Sequence, residues 1–226
     1  MAAVSVIIAV RDGARYLPEA LASLAGQSTP PSEVIVVDDG STDGSGEVAA
    51  RSTPTVRVLT RPPIGYAAAV NHGVAAATSS LLAFLDADDR WTPGSLARRL
   101  DRLAGDDAPD VVVGATENYL SPDLTEAEAS TIRLQTGTFQ AELLGATLVR
   151  DEVFRRVGPL DEELRTGSAI DWVSRARSAG VTFAPVDEVV LHRRIHASNL
   201  GRSEQAARNA DLLRIVRAHH ARRRPS

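Results

Sequence analysis

Residues 33–43 read EVIVVDDGSTD, and residues 81–89 read LLAFLDADD. Each stretch is a short apolar run that stops abruptly at a group of acidic residues. Apolar runs of this length, bounded by turn residues, predict strands that are buried on both faces. The Asp, Gly, Ser and Thr residues that follow are typical of turns and helix starts. Both stretches therefore predict a buried strand that leads into a polar turn at its carboxyl end.

The same alternation runs through the first hundred residues. Strands alternating with helical patterns predict an α/β fold, Rossmann-like, with a mostly parallel sheet and helices on both faces. Ligands bind beyond the carboxyl ends of the strands in such sheets, which is where both acidic groups lie. The predicted strands are residues 4–10, 33–37, 56–59 and 81–85. The predicted helices are residues 16–25, a short one to Ala50, 67–77, and one to about Leu103 with Thr92 as N-cap and Pro93 as first residue.

The second half of the chain is less regular. Its predicted strands are residues 111–114, 181–183 and 189–195, and its predicted helices are residues 151–157, capped by Asp151, and 170–179. Residues 121–138 are polar without a clear period, so they are predicted to form a loop. Ser203 is predicted to cap a last helix that runs to about His220. Because no linker or repeat interrupts the chain, we expect a single domain with a C-terminal appendage.

Two absences in the composition exclude whole chemistries. All 25 basic residues among the 226 are arginine, and there is no cysteine. Without lysine there is no Schiff base and no phosphate-loop lysine, and without cysteine there is no thiol nucleophile and no cysteine-bound metal. A metal site must use Asp, Glu or His. The net charge is −4, and residues 202–226 carry +5 against −9 elsewhere, which does not fit a nucleic-acid-binding domain.

The sequence near the two ends of the chain is used to predict where in the cell the protein is located. The first residues lack the basic start and cleavage site of a secretory signal, and the longest apolar runs are too short to cross a bilayer, so we expect a cytoplasmic protein. The last helix has Leu212, Leu213, Ile215 and Val216 on one side and arginines on the other. Packing against the body is the favoured interpretation, and weak peripheral contact with the anionic inner face of the membrane is the alternative.

Two acidic groups could bind a ligand. Asp86 and Asp88 are two residues apart, so on an extended chain they point the same way and could hold one divalent cation, with Asp89 nearby. The alternative is an acidic turn that only caps the next helix. Asp38 and Asp39 could accept hydrogen bonds from a base or a ribose, or could serve only the turn.

Two further groups lie in the second half. Asp171 begins a helix beside Trp172, where a carboxylate against apolar neighbours suits a general base; a surface Asp favoured by the helix dipole is the alternative. His192 and His196 would face the same side of an extended segment and could meet a metal or a phosphate. For His192, a solvated position on an edge strand is the alternative.

Taken in series, these motifs resemble the family 2 glycosyltransferases, inverting enzymes of the GT-A fold. The resemblance covers roughly residues 4 to 200, and it rests on the order of the motifs along the chain. The matching segments are residues 4–10 (VSVIIAV), 36–43 (VVDDGSTD), 69–73 (AVNHG), 83–89 (AFLDADD) and 158–162 (GPLDE).

The resemblance implies a role for each matching residue. The donor is a nucleotide-diphosphate-sugar, UDP- or another, with Asp39 reading the base, Asp86 approaching the ribose, and His196 near the phosphates. Asp88 holds Mn²⁺ or Mg²⁺, with Asp89 and His196 as further candidate ligands. Asp171 is the catalytic base, and Arg177 matches an arginine six residues later. The other donor-binding candidates are Ala9, Arg11, Asn71 and Ala87.

The resemblance also implies a division of the chain. Residues 1–201 would be the GT-A domain, with a nucleotide-sugar half (1–110) and an acceptor half (111–201), and residues 202–226 the C-terminal helix and basic tail. The acceptor stays unknown, because residues 115–147 hold no recognisable motif.

Three departures from the family pattern bear on catalysis. Ala9 stands where members often have Pro, and Asp12 where they often have Asn. Ile170 stands where many members have Glu just before the base, which leaves Asp171 as a single carboxylate. That departure keeps open a catalytically impaired nucleotide-sugar-binding protein.

Other functions remain as rivals. A retaining transferase of the same fold is not excluded by the first half of the chain. A sugar nucleotidyltransferase would have a glycine-rich first turn with Arg and Lys, whereas residues 11–15 read RDGAR. NAD binding fails because no G-x-G-x-x-G follows the first strand.

Overall fold

The computed structural model describes residues 2–53, 55–141, 143–199 and 205–222, with side chains of 205–208 and 220–222 left out. Its strands are β1 (Val4–Val10), β2 (Glu33–Asp38), β3 (Val56–Thr60), β4 (Leu81–Phe84), β5 (Arg90–Trp91), β6 (Val111–Leu120), β7 (Thr138–Gln140), β8 (Thr147–Arg150) and β9 (Phe183–Ile195). Its helices are α1 (Leu17–Ala25), α2 (Ser45–Ala50), α3 (Tyr66–Ala76), α4 (Ser95–Leu103), α5 (Glu126–Ser130), α6 (Asp151–Val157), α7 (Ser168–Ser178) and α8 (Gln205–Arg222), with one 3₁₀ turn at Leu144–Ala146.

The described residues form one nine-stranded sheet in the order β3-β2-β1-β4-β8-β6-β9-β5, with β7 beside β6. The predicted α/β fold class is confirmed. Strands β3, β2, β1 and β4 are parallel to one another, as the alternation with helices predicted. The β-branched residues of β1 and β2 are almost fully buried, which explains why these strands read as unbroken apolar runs. Their carboxyl ends therefore meet along one edge.

The second half of the sheet differs from the prediction in strand length and direction. Strand β8 pairs antiparallel with β4 and with β6, whereas β6 and β9 are parallel to each other. Strand β6 continues to Leu120, well beyond the predicted end at Gly114. The two strands predicted near residues 181 and 189 are one strand, β9, whose register with β6 shifts around Gly114 and Ala115. The outer segments of β6 and β9 contain polar residues in alternation, so apolar runs in the sequence predicted strands that were too short.

Glycine lets β6 and β9 approach closely at this irregularity. A Cβ atom built on Gly114 would lie 2.2 Å from a methyl carbon of Val190, so no larger residue fits without a shift of the backbone. Val190 is fully buried at this contact. The long parallel pair that results places the end of β9 beside the acidic turn after β4.

Several helix starts differ from the predictions. Helix α4 begins at Ser95 with Gly94 as N-cap, because the Thr92 hydroxyl donates instead to the carbonyl of Val189. Asp151 is the first residue of α6 and not its cap, and it pairs with Arg155 one turn later. The predicted loop at 121–138 contains the short helix α5, which Thr125 and Glu128 close with a capping box. Ser203 lies outside the described residues.

The C-terminal helix α8 packs against α7, which is the favoured arrangement of the sequence analysis. Ile215 is buried, and its Cδ1 would be 3.2 Å from a Cβ on Gly167. The carboxylate of Asp211 accepts from the backbone N–H of Thr166 at 2.9 Å. Arg214 forms ion pairs with Asp161 and Glu163. The opposite side of α8 exposes Leu213 and Val216.

Among the described helices, each is too short or too polar to span a membrane.

Candidate donor, metal and catalytic site

The acidic residues 86–89 form a tight turn at the end of β4. The backbone N–H of Asp89 donates to the carbonyl of Asp86 at 3.1 Å, which closes the turn. One carboxylate oxygen from each of Asp86, Asp88 and Asp89 lies within 4.8 Å of the others. The sequence analysis expected Asp86 and Asp88 to converge because an extended chain alternates. They converge because the chain turns, and the turn also brings in Asp89.

Each carboxylate of this turn is held by a residue distant in sequence. The Tyr66 hydroxyl donates to Asp86 at 2.8 Å. The Nε2 atom of His196 lies 2.9 Å from Asp88 Oδ2, and the Asn199 amide donates to the same oxygen at 3.1 Å. The backbone N–H of Arg194 donates to Asp89 at 2.8 Å. Tyr66, Arg194 and Asn199 were not identified from the sequence as site residues.

The turn concentrates negative charge in a poorly solvated place. Burial, together with the charge of Asp88, raises the pKa of Asp86 to about 6. Burial and the charges of Asp88 and Asp86 raise the pKa of Asp89 well above its usual range. Such shifts mean that the carboxylates disfavour being ionised together unless a cation compensates them. Three converging hard oxygen ligands fit Mg²⁺ or Mn²⁺, so the residues present suit the expected metal.

Arg194 ties this turn to three other elements. Its side chain is almost fully buried, and its Nε donates to the carbonyl of Asp88 at 3.0 Å. The two terminal nitrogens donate to Ser121 at 3.2 Å and to Glu19 at 2.7 Å. The guanidinium also lies 4.8 Å from the ring centroid of Tyr16. Arg194 therefore holds the turn twice, through its side chain to the Asp88 carbonyl and through its own N–H to the Asp89 carboxylate.

His196 lies where the sequence analysis placed it, beside the acidic turn. It is 6% exposed, its Nδ1 lies 3.0 Å from the Ser198 hydroxyl, and its ring centroid lies 4.8 Å from that of Tyr16. His192 lies elsewhere. It pairs in register with Arg90 and lies 3.6 Å from Glu117, and β5 covers this part of β9, so it is not on an edge.

Asp39 is buried at the carboxyl end of β2. Its two carboxylate oxygens accept from the backbone N–H groups of Ile64 and Gly65, at 2.9 and 2.8 Å. Asp38 accepts from the backbone N–H of Ser41 at 2.9 Å, as expected of a turn residue. Asp39 thus fixes the segment that leads into α3, and each of its oxygens keeps a second lone pair for a ligand.

Three other donor candidates lie at the same sheet edge. Ala9 pairs with Val37 in the sheet, close to the end of β1. Arg11 follows β1 and is exposed. Ala87 lies within the acidic turn and packs partly against the core. Asp12, which replaces the Asn of many family members, has a positive φ of 51° and accepts from the backbone N–H of Thr42 at 2.8 Å.

Asn71 has a different contact from the one expected of a donor ligand. Its amide nitrogen donates to the carbonyl of Leu160 at 3.0 Å and to Glu162 at 2.9 Å, while its oxygen accepts from the N–H of Leu160 at 2.9 Å. These bonds use both groups of the amide to tie α3 to the segment before α7. Asn71 therefore positions residues 158–162, the last of the matching motifs.

Asp171 lies in the first turn of α7 and lines a cavity of about 530 Å³. The walls of this cavity come from residues 159–164, α7 and α8. Asp171 is buried, and the Arg175 guanidinium donates to it at 2.8 Å. Arg175 also donates to the carbonyls of Val157 and Pro159, at 2.8 and 2.6 Å. The base candidate is thus held by a cation and connected to the preceding loop.

The neighbours of Asp171 explain its placement. Trp172 is fully buried, stacks on Phe154 at 4.9 Å and donates to the carbonyl of Gly158 at 3.0 Å. Ile170, which replaces the family Glu, is 44% exposed. Arg177 lies over the ring of Phe183 at 4.5 Å. Helix α7 is therefore anchored through Trp172, which turns Asp171 towards the cavity.

Comparison with solved structures shows the same fold. Staphylococcus aureus TarS 1-349 in complex with UDP-GlcNAc aligns over 97% of this chain and 66% of its own, with 17% identity and a TM-score of 0.76. The mannosyltransferase PcManGT from Pyrobaculum calidifontis, in complex with GDP-Man and Mn²⁺, aligns over 100% and 65%, with 21% identity and a TM-score of 0.70. The sheet and its helices therefore have the GT-A fold.

The sequence itself identifies the family. Residues 5–156 match the model of Glycosyl transferase family 2, so the chain belongs to that family. An uncharacterised glycosyltransferase of Nostoc sp. is 34% identical over 174 residues, 70% of this chain and 54% of the relative. Glycosyltransferase AglE of Haloferax volcanii is 29% identical over 199 residues, 83% of this chain and 65% of the relative. The chain thus spans between half and two thirds of these relatives.

Proposed function

We propose that this protein transfers a sugar from a nucleotide-diphosphate-sugar to an acceptor hydroxyl, with inversion and with a divalent cation. The observation that carries the proposal is the acidic turn at the carboxyl edge of the sheet, where three carboxylates converge within 4.8 Å. Ligands bind at this edge in open α/β sheets. Family membership and the nucleotide sugars bound by TarS and PcManGT support the same substrate class.

Different residues at this edge of the sheet would bind different parts of the donor. Asp39 would accept from the base, and Asp86, held by Tyr66, would approach the ribose. Asp88, with Asp89 and His196 beside it, would hold Mn²⁺ or Mg²⁺. That cation, when bound, would stabilise the negative charge that develops on the departing diphosphate. Ala9, Arg11 and Ala87 line the same edge.

Asp171 would act on the acceptor. Its carboxylate would take the proton of the acceptor hydroxyl while that oxygen bonds to the anomeric carbon, and the bond from that carbon to the diphosphate breaks. Attack from the face opposite the nucleotide inverts the anomeric centre. Because Asp171 lines the cavity between residues 159–164 and α8, the acceptor would enter there. Analysis of the product anomer distinguishes this reaction from that of a retaining transferase.

A thermal-shift panel tests the donor class. A ligand that binds the native state alone raises its stability, so one nucleotide sugar with Mn²⁺ is expected to raise Tm by about 5 °C at a hundredfold excess over Kd. The same sugar 1-phosphate without a nucleotide serves as the control and should leave Tm unchanged. A panel of UDP-, GDP-, ADP-, CDP- and dTDP-sugars that leaves Tm unchanged with and without Mn²⁺ contradicts the proposal.

We also propose a weak, salt-sensitive contact between the outward side of α8 and an anionic membrane, with the protein in the cytoplasm. Leu213 and Val216 are 58% and 50% exposed there, and Arg217 is exposed beside them. Wild type is expected to sediment with phosphatidylglycerol vesicles at low salt and the double variant Leu213→Ser, Val216→Ser to stay in solution. Phosphatidylcholine vesicles are the control, and equal sedimentation of both proteins would remove this contact.

A further inference from the structure

One short segment, residues 193–196, brings three basic side chains to the acidic turn. The chain has no lysine, so Arg and His side chains must supply any cationic group of the protein at this edge. Residues 193–196 place Arg193, Arg194 and His196 next to Asp86–Asp89, because the backbone N–H of Arg194 bonds Asp89 and the ring of His196 bonds Asp88. A diphosphate that binds at the turn therefore meets this segment.

Two of these three side chains already have partners within the protein. The Arg194 guanidinium is 2% exposed and donates to Glu19, Ser121 and the carbonyl of Asp88. His196 has Asp88 on one ring nitrogen and Ser198 on the other. Both side chains are buried and already bonded within the protein.

Arg193 differs from both. It is partly exposed, and within the described residues its guanidinium has no hydrogen bond or ion pair. Asn118 lies opposite Arg193 on β6. The amide oxygen of Asn118 is buried and accepts from no described donor, so Asn118 does not accept a hydrogen bond from Arg193 through this oxygen. The next residue, Arg194, donates its backbone N–H to Asp89 at 2.8 Å, so the backbone of Arg193 lies directly beside the acidic turn.

We propose that Arg193 is a donor-binding residue that contacts the diphosphate of the nucleotide sugar. This inference rests on the proposed function. A planar guanidinium donates two parallel N–H bonds to phosphate oxygens, and this geometry suits a group that is preformed and otherwise unoccupied. Arg193 would bind the phosphates, as a lysine does in chains that contain one. It would lie beside the proposed metal ligands without being one of them.

Binding measurements with nucleoside diphosphates test this inference. Isothermal titration with UDP and with GDP, in Mg²⁺, identifies the tighter ligand for wild type. Arg193→Gln is expected to weaken the binding of that diphosphate by about tenfold and to leave the binding of the matching nucleoside unchanged, since the lost contact is to phosphate. Arg193→Lys should recover part of the loss. Arg156→Gln, at an exposed position of α6, is the matched control and should bind as wild type does.

Each outcome has a separate meaning. Equal diphosphate affinity for Arg193→Gln and wild type overturns the inference while leaving the proposed function in place. An equal loss for the diphosphate and the nucleoside also overturns it, because that result reports a structural change. If wild type binds no nucleoside diphosphate at all, the proposed function falls and this inference falls with it.

Discussion

Replacing Asp171 by asparagine is expected to lower the rate of sugar transfer by about 10²- to 10⁴-fold, the range that a general base contributes. The amide keeps the size of the carboxylate but cannot take a proton from the acceptor. Donor affinity should not change, because Asp171 lines the cavity beside α8 and not the acidic turn. The measurement is the steady-state transfer rate with the donor found by thermal shift and a panel of hydroxylated acceptors.

The chain supplies a close control for this variant. Asp151 begins α6 and pairs with Arg155 four residues later, as Asp171 pairs with Arg175 in α7. Asp151→Asn removes the same kind of ion pair from a helix start away from the cavity, and its transfer rate should stay close to that of wild type. If Asp171→Asn retains full activity in a productive assay, the assignment of the base is wrong.

Replacing Asp88 by asparagine is expected to weaken Mn²⁺ binding by about 100-fold or more, since even an outer-shell partner typically contributes 10- to 100-fold. Asp88 is the carboxylate with two side-chain partners, since both His196 and Asn199 contact its Oδ2 atom. Titration of Mn²⁺ followed by electron paramagnetic resonance measures the change directly. Transfer in the presence of EDTA should fall to the level of the variant.

Asp101→Asn is the control for this measurement, because Asp101 is an exposed carboxylate on α4. It removes one negative charge without touching the turn, and its Mn²⁺ affinity should equal that of wild type. Transfer that is insensitive to EDTA, together with unchanged Mn²⁺ affinity in Asp88→Asn, would show that the reaction needs no cation at these carboxylates.

The parallel part of the fold could be predicted from the sequence for a simple physical reason. Strands such as β1 and β2 are buried on both faces, so their residues are uniformly apolar and their ends are marked by polar turns. Because carboxyl ends of parallel strands share an edge, the positions of Asp39 and the acidic turn followed from the same pattern. His196 was placed at the turn by family resemblance, and its contact with Asp88 agrees.

Other features depend on contacts that no local pattern encodes. The full length of β6 and β9 was not predicted from the sequence, because the outer parts of these paired strands carry polar residues. Tyr66 and Asn199 reach the acidic turn from elements 20 and 111 residues away from their partners, and neither has a neighbouring motif that marks it. Asn71 lay in a family motif, yet its amide serves the loop before α7, which spacing alone does not indicate.

The bond between His196 and Asp88 joins residues 108 positions apart. The support that His196 gives to Asp88 therefore forms only after the last strand has docked beside the first half of the sheet. If the proposed cation binds at this turn, its binding is linked to that docking step, and the cation would stabilise the assembled sheet rather than one loop.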